Sequence, residues 1–258
     1  MTTTMPTVFV GHGNPMHAIM PSRYTEAWET LGQTLPRPKA ILAISAHWFV
    51  PETAVTAMAQ PRTIHDFGGF PRALYQVQYP APGNPLLAQR VADLLSPTPV
   101  RQDAAWGLDH GTWSVLKHFY PDADIPVIQL SLDSRGTGRF HYELAHRLAP
   151  LRDEGVLVLG SGNIVHHLGE LLWEASASPY DWAVRFDQKT RLAISAGNHD
   201  ALLALDALDA DGRLAVPTPE HYLPLLYMLG LQRSTDQVSF PVEGIDLGSI
   251  SMTTVVMG

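Results

Sequence analysis

The stretch Val8–Ile19, VFVGHGNPMHAI, starts as a run of β-formers and breaks at a glycine, a histidine and a second glycine. Val8, Phe9 and Val10 are residue types of a buried strand, and glycine punctuates such runs. An imidazole at that point, His12, stands at the mouth of the strand, where open α/β sheets present reactive groups. Glycine on both sides predicts room for a ligand or metal to approach the backbone closely.

Outward from this stretch, similar apolar runs recur. Residues Thr7–Val10, Ala40–Ala46, Ala54–Met58, Pro126–Leu132, Val156–Leu159 and Ile250–Val256 read as buried strands. Between them, Pro85–Leu95 spaces Leu87, Val91 and Leu95 four apart, and Phe140–Leu148 does the same with Phe140, Leu144 and Leu148, each giving one apolar helix stripe. Tyr24–Leu35, Trp113–Phe119, Val165–Glu174 and Trp182–Leu208 are further helix candidates. Alternating strands and helices predict an α/β fold, a three-layer α/β/α sandwich around a mixed, largely parallel sheet. With no repeat or linker, the 258 residues are expected to form a single domain, 1–258.

Composition narrows the function. A net charge of −8, with 17 Lys and Arg against 25 Asp and Glu, argues against nucleic acid and for a small-molecule partner. The chain has no cysteine, so neither disulfides nor thiolate chemistry arise. No apolar run reaches the roughly 18 residues of a membrane helix. MTTTMPTVFV lacks the basic segment and apolar core of a secretory leader, so a soluble cytoplasmic protein is expected, with no membrane partner.

Twelve histidines are many for this length, and several follow strands. His12 follows the first predicted strand and His47 the second, in AILAISAHW. His166 follows a third, in VLVLGSGNIVHHLGEL, on a predicted helix with His167 as its solvated neighbour. The GxG there is not a dinucleotide fingerprint, because Val165 stands where the third glycine belongs. His110 reads as a loop histidine between two tryptophans in AAWGLDHGTW, and His221 opens a helical segment with Glu220 beside it. His65 lies in IHDFGGF, at the start of a long Gly- and Pro-rich connection that predicts a pocket wall. His17, His118, His141, His146 and His199 read as surface or capping residues. Two histidines plus a carboxylate or a third histidine is the donor set of non-haem Fe(II) or catalytic Zn(II). No HExxH is present, so such ligands must come from separate strand ends. These residues alone leave a zinc-dependent hydrolase and a non-catalytic metal-binding protein open.

The segments GHGNPMHAI, SAHW, TIHDFGGFPRALYQVQYPAPG, WGLDHGTW, PDADIPVIQLSLD, GSGNIVHHL and PTPEHYLPLLYMLG, in this order, resemble the class III extradiol ring-cleaving dioxygenases, and most closely their 4,5-DOPA extradiol dioxygenase branch. The resemblance runs from about residue 7 to the C-terminus. It implies one divalent metal per chain, Fe(II) for turnover with Zn(II) fitting the same site. The implied reaction opens a catechol of the DOPA type with O2 to a muconic semialdehyde. Carried over by residue, it implies His12, His47 and His221 as metal ligands, and His166 as the acid/base that also reaches the metal. It further implies His110 as a catalytic residue facing substrate and oxygen. The broader class uses two histidines and a glutamate, which leaves Glu220 as the alternative to His221. Arg72 in FPRALY, with His65, is the expected contact for the substrate and its carboxylate.

Overall fold

The computed structural model describes residues 4–174 and 177–258. Its strands are β1 (Thr7–Gly11), β2 (Ala40–Val50), β3 (Ala54–Thr56), β4 (Arg101–Asp103), β5 (Val127–Asp133), β6 (Val156–Gly162), β7 (Val238–Val242), β8 (Ile245–Asp246), β9 (Ile250–Ser251) and β10 (Thr254–Met257). Eight form one sheet in the order β4-β3-β5-β2-β6-β1-β10-β7, and β8 pairs with β9 apart from it. The central strands β5, β2, β6 and β1 all run parallel, with antiparallel pairings toward both edges.

Side-chain alternation on these strands builds two cores. Leu42 and Ile44 face one layer, packed with the helices Pro85–Leu95, Gly138–Arg147 and Leu223–Leu231. Ile41 and Ala43 face the other, filled by Trp28 of the helix Arg23–Thr34 and Trp113 of the helix His110–Phe119. This is the expected three-layer α/β/α sandwich. The helix Leu223–Leu231 is apolar on every side and buried throughout, as such a helix must be.

Four expectations change. β2 does not stop at Ala46 but continues to Val50, with its register against β5 shifted between Ile44 and Phe49. His47 sits in that irregular stretch, and bulges of this kind re-aim a side chain. The expected helix Val165–Glu174 is absent: Val165 accepts from the backbone of Ser251, and His166 bridges to Ile250 and donates its N–H to Ala215. Only one 3-10 turn, Leu168–Glu170, follows. The expected helix Trp182–Leu208 is Asp181–Ser195 followed by separate short turns, Asp200–Leu203 and Leu205–Ala207. His141, expected at the surface, is fully buried. Among the described residues no helix is long and apolar enough to cross a membrane.

Candidate active site

The carboxyl ends of β1, β2 and β6 converge on one cluster of imidazoles. His12 follows β1 and is 2% exposed. Its Nδ1 lies 3.0 Å from Ser161 Oγ, whose own hydroxyl donates to the carbonyl of Gly111 at 2.5 Å. Ser161 can therefore only accept from His12, which puts the His12 proton on Nδ1 and leaves Nε2 bare. That Nε2 faces His47 Nε2 at 3.2 Å. His221 supplies a third nitrogen: ligand atoms of His12, His47 and His221 all lie within 4.8 Å of one another. Glu220 does not join this group but touches His221 Nδ1 through Oε1 at 3.2 Å, orienting the ring. His166 stacks on His221, with ring centres 3.4 Å apart and planes 7° from parallel.

Asp66 completes the cluster. Its Oδ1 accepts from the backbone N–H of His110 at 2.8 Å and lies 3.0 Å from His110 Nδ1, while Oδ2 lies 3.1 Å from His47 Nδ1. Burial opposes its charge, yet His110 and His47 outweigh burial and hold the carboxyl well below its ordinary range. His110 is the first residue of its helix, capped by Asp109, whose side chain accepts from Thr112 N–H. Burial, reinforced by the neighbouring imidazoles, lowers His12 and His221 well below an ordinary histidine. Burial also lowers His110 and pushes His166 down to about 4. Burial acts the same way on His47, but Asp66 overcomes it and raises the pKa.

This donor set suits a divalent cation. Metal ligation needs unprotonated imidazole. Two tetrahedral nitrogens at about 2.0–2.1 Å from zinc stand about 3.3 Å apart, close to the 3.2 Å between His12 and His47. The cluster floors a cavity of about 220 Å³ walled by Gly13, Pro15, Phe70, Leu168, Leu171, Trp173, Leu247 and Ile250. That is below the ~300–1,000 Å³ of pockets for drug-sized ligands, and fits a small ring. A larger cavity, about 590 Å³ by Gly136–Arg139 and Asp200–Asp206, contains none of these histidines.

The family described as the catalytic LigB subunit of aromatic ring-opening dioxygenase matches residues 3–255. The chain belongs to the LigB family. It is 51% identical to the 4,5-DOPA dioxygenase extradiol of Escherichia coli over 260 residues, covering all of this chain and 96% of the relative. The Beta vulgaris protein of the same name is 42% identical over 232 residues, covering 87% and 85%. An uncharacterized Escherichia coli protein known by its crystal structure superposes with a TM-score of 0.86 at 46% identity, over 98% of this chain and all of that one. The motif resemblance to extradiol dioxygenases is borne out, and the chain is a dioxygenase of that type.

Within this LigB-family fold, His12, His47, His110, His166 and His221 all line the cavity. His65 and Arg72 do not. His65 Nε2 is spent on the Val77 carbonyl at 2.9 Å, and Arg72 is exposed at the start of the turn Arg72–Tyr75. The flanking glycines also divide: Gly13 lines the cavity, whereas a Cβ on Gly11 would stand 2.5 Å from the Ser251 carbonyl, so close chain packing requires that glycine. Sequence reasoning missed Asp66, one residue from His65, and Ser161, whose Gly-Ser-Gly segment reads as a turn but forms the end of β6. An acid beside a histidine in a glycine-rich wall was the available sign of Asp66.

Proposed function

We propose that this chain is a metal-dependent extradiol dioxygenase that opens the ring of a DOPA-like catechol with O2, giving a muconic semialdehyde of the seco-DOPA type. The observation that carries this reading is the convergence of three imidazoles, two of them buried with lowered pKa and the third, His47, held by Asp66, beneath an apolar cavity of single-ring size. His12, His47 and His221 would hold one divalent ion, Fe(II) for turnover, with Zn(II) accepted by the same nitrogens. When bound, that ion would gather catechol and dioxygen and carry electrons between them. His166, neutral at pH 7, accepts the proton of a catechol hydroxyl and returns it as the ring opens. His110 presents its ring to the cavity from a helix start fixed by Asp109. Phe70, Leu171 and Ile250 clasp the aromatic ring and keep water from it.

The test is anaerobic loading with Fe(II), then a panel of catechols including DOPA, read as oxygen uptake and a yellow product. Uptake with ring opening is expected, fastest with DOPA-like catechols. Hydrolysis of ester or amide probes by the zinc form without oxygen uptake would replace this reading by a hydrolase, and a loaded protein inert to both would leave a binding protein.

A further inference from the structure

We propose that Asp66 is a positioning residue that fixes two imidazoles of the site with one carboxylate: Oδ2 keeps the His47 proton on Nδ1, so that Nε2 stays bare, while Oδ1 holds His110 at the cavity wall. The inference rests on the metal-dependent reading above.

Elimination supports it first. Buried polar atoms need partners. Among the described residues Asp66 Oδ2 has no other polar partner, and its neighbour at 3.1 Å is His47 Nδ1. His110 Nδ1 has no other partner either, and its neighbour at 3.0 Å is Asp66 Oδ1. Neither contact is an aligned hydrogen bond, yet Asp66 Oδ2 has only His47 Nδ1 to satisfy it and His110 Nδ1 has only Asp66 Oδ1, which also accepts from the His110 N–H. A carboxylate offers acceptors alone, so both nitrogens facing it must carry the protons.

The carboxylate is also held in place. Ile64 donates its N–H to the Leu108 carbonyl at 2.7 Å, and the Trp113 indole donates to the Ile64 carbonyl at 2.7 Å. His65 is tied to Val77, and Phe67 packs its ring edgewise on His110. A wall segment bolted on both sides of Asp66 can dictate a ring orientation, as partners behind a metal-bound histidine do.

Asp66→Asn tests the inference because the amide keeps one acceptor and replaces the other by a donor. Its oxygen remains with the His110 N–H; its NH2 then faces His47 Nδ1 and drives the proton to Nε2. Zn(II) affinity, read by competition with a chromophoric chelator, is expected to fall 10–100-fold. Nitrogen-15 NMR of histidine-labelled protein, zinc-loaded and metal-free, is expected to show His47 protonated on Nδ1 in the wild type and on Nε2 in the metal-free variant. Asp66→Ala frees His110 as well, and its turnover should stay 10–100-fold down even at saturating Fe(II), where Asp66→Asn recovers. Unchanged zinc affinity in a folded Asp66→Asn protein, or a wild-type His47 carrying its proton on Nε2, overturns the inference. A wild type that takes up no metal instead sinks the metal-centre reading, and the wild-type NMR tautomer still decides the role of Asp66 even where the variants fail to fold.

Discussion

His166 and His221 are stacked face to face, yet they are expected to respond differently to removal. His221 shares a three-nitrogen group with His12 and His47, whereas among the described residues His166 shares a donor group with His221 and Glu220 alone. Replacing His12, His47 or His221 by Ala is therefore expected to abolish metal uptake and turnover together. His166→Ala is expected to retain most of the metal while losing turnover by about 10²–10⁴, the usual worth of general acid/base help. Metal content by elemental analysis beside oxygen uptake checks both; metal lost in step with activity would make His166 a ligand. This division was legible in the sequence only as far as residue types and strand ends go. His12, His47 and His221 stood out because each adjoins a strand end or a helix start. The Ser161 and Asp66 contacts that fix their protons join residues 149 and 19 positions apart, and no local pattern carries such pairs.

At the scale of elements, the buried parallel strands were the easy part, since β1 and β6 contain continuous apolar runs and β5 carries Val127, Ile128, Leu130 and Leu132. The edge strands were not: β4 is Arg-Gln-Asp, and β7 is half exposed and carries Pro241. The Val165–Glu174 helix failed because tertiary pairing with β9 takes the backbone groups that a helix would use. That pairing depends on the buried Asp187, which accepts from Ser251 Oγ at 2.6 Å, Thr253 Oγ1 at 2.8 Å and Arg191 Nε at 2.9 Å. Asn163 then donates through Nδ2 to the Ser251 carbonyl, and by its N–H to the His221 carbonyl, both at 2.8 Å. Asp187→Ala leaves the Ser251 and Thr253 hydroxyls buried without their acceptor and is expected to cost about 1.5–3 kcal/mol. A lowered urea midpoint at unchanged slope checks it. Because the same chain of contacts ends at His166 and His221, turnover should fall more than stability alone explains, measured where the variant remains folded.

Across the whole molecule, two buried polar groups tie distant parts of the chain together. Arg152 donates to the carbonyls of Met5 and Leu231 and pairs with Asp236, joining the entry to β1, the end of the helix Leu223–Leu231 and the approach to β7. Removing one partner of such a pair is costly, so Arg152→Met is expected to lower stability by about 3–5 kcal/mol, read from denaturant unfolding. His141 joins the helices Gly138–Arg147 and Leu223–Leu231. Its Nε2–H donates to the Asp133 carbonyl at 3.2 Å, and its Nδ1 accepts from the Tyr227 hydroxyl at 3.1 Å. A proton on Nδ1 would turn that nitrogen into a donor, reverse the second bond and place a charge in a dry interior, and burial has pushed this imidazole from 6.5 to about 4. The unfolded chain thus binds this proton at a higher pH than the folded one. Stability from His141 is fully present above pH 6.5 and is lost as pH falls toward 4, at about 1.4 kcal/mol per unit and about 3 kcal/mol in all. His12, His166 and His221 move the same way, so acid sensitivity is shared among several groups. His141→Phe isolates one of them: its stability between pH 7 and pH 4.5 should fall less steeply than that of the wild type, by up to one proton. Parallel urea midpoints at the two pH values test this, and equal slopes would mean that His141 binds its proton as readily in the folded state as in the unfolded chain.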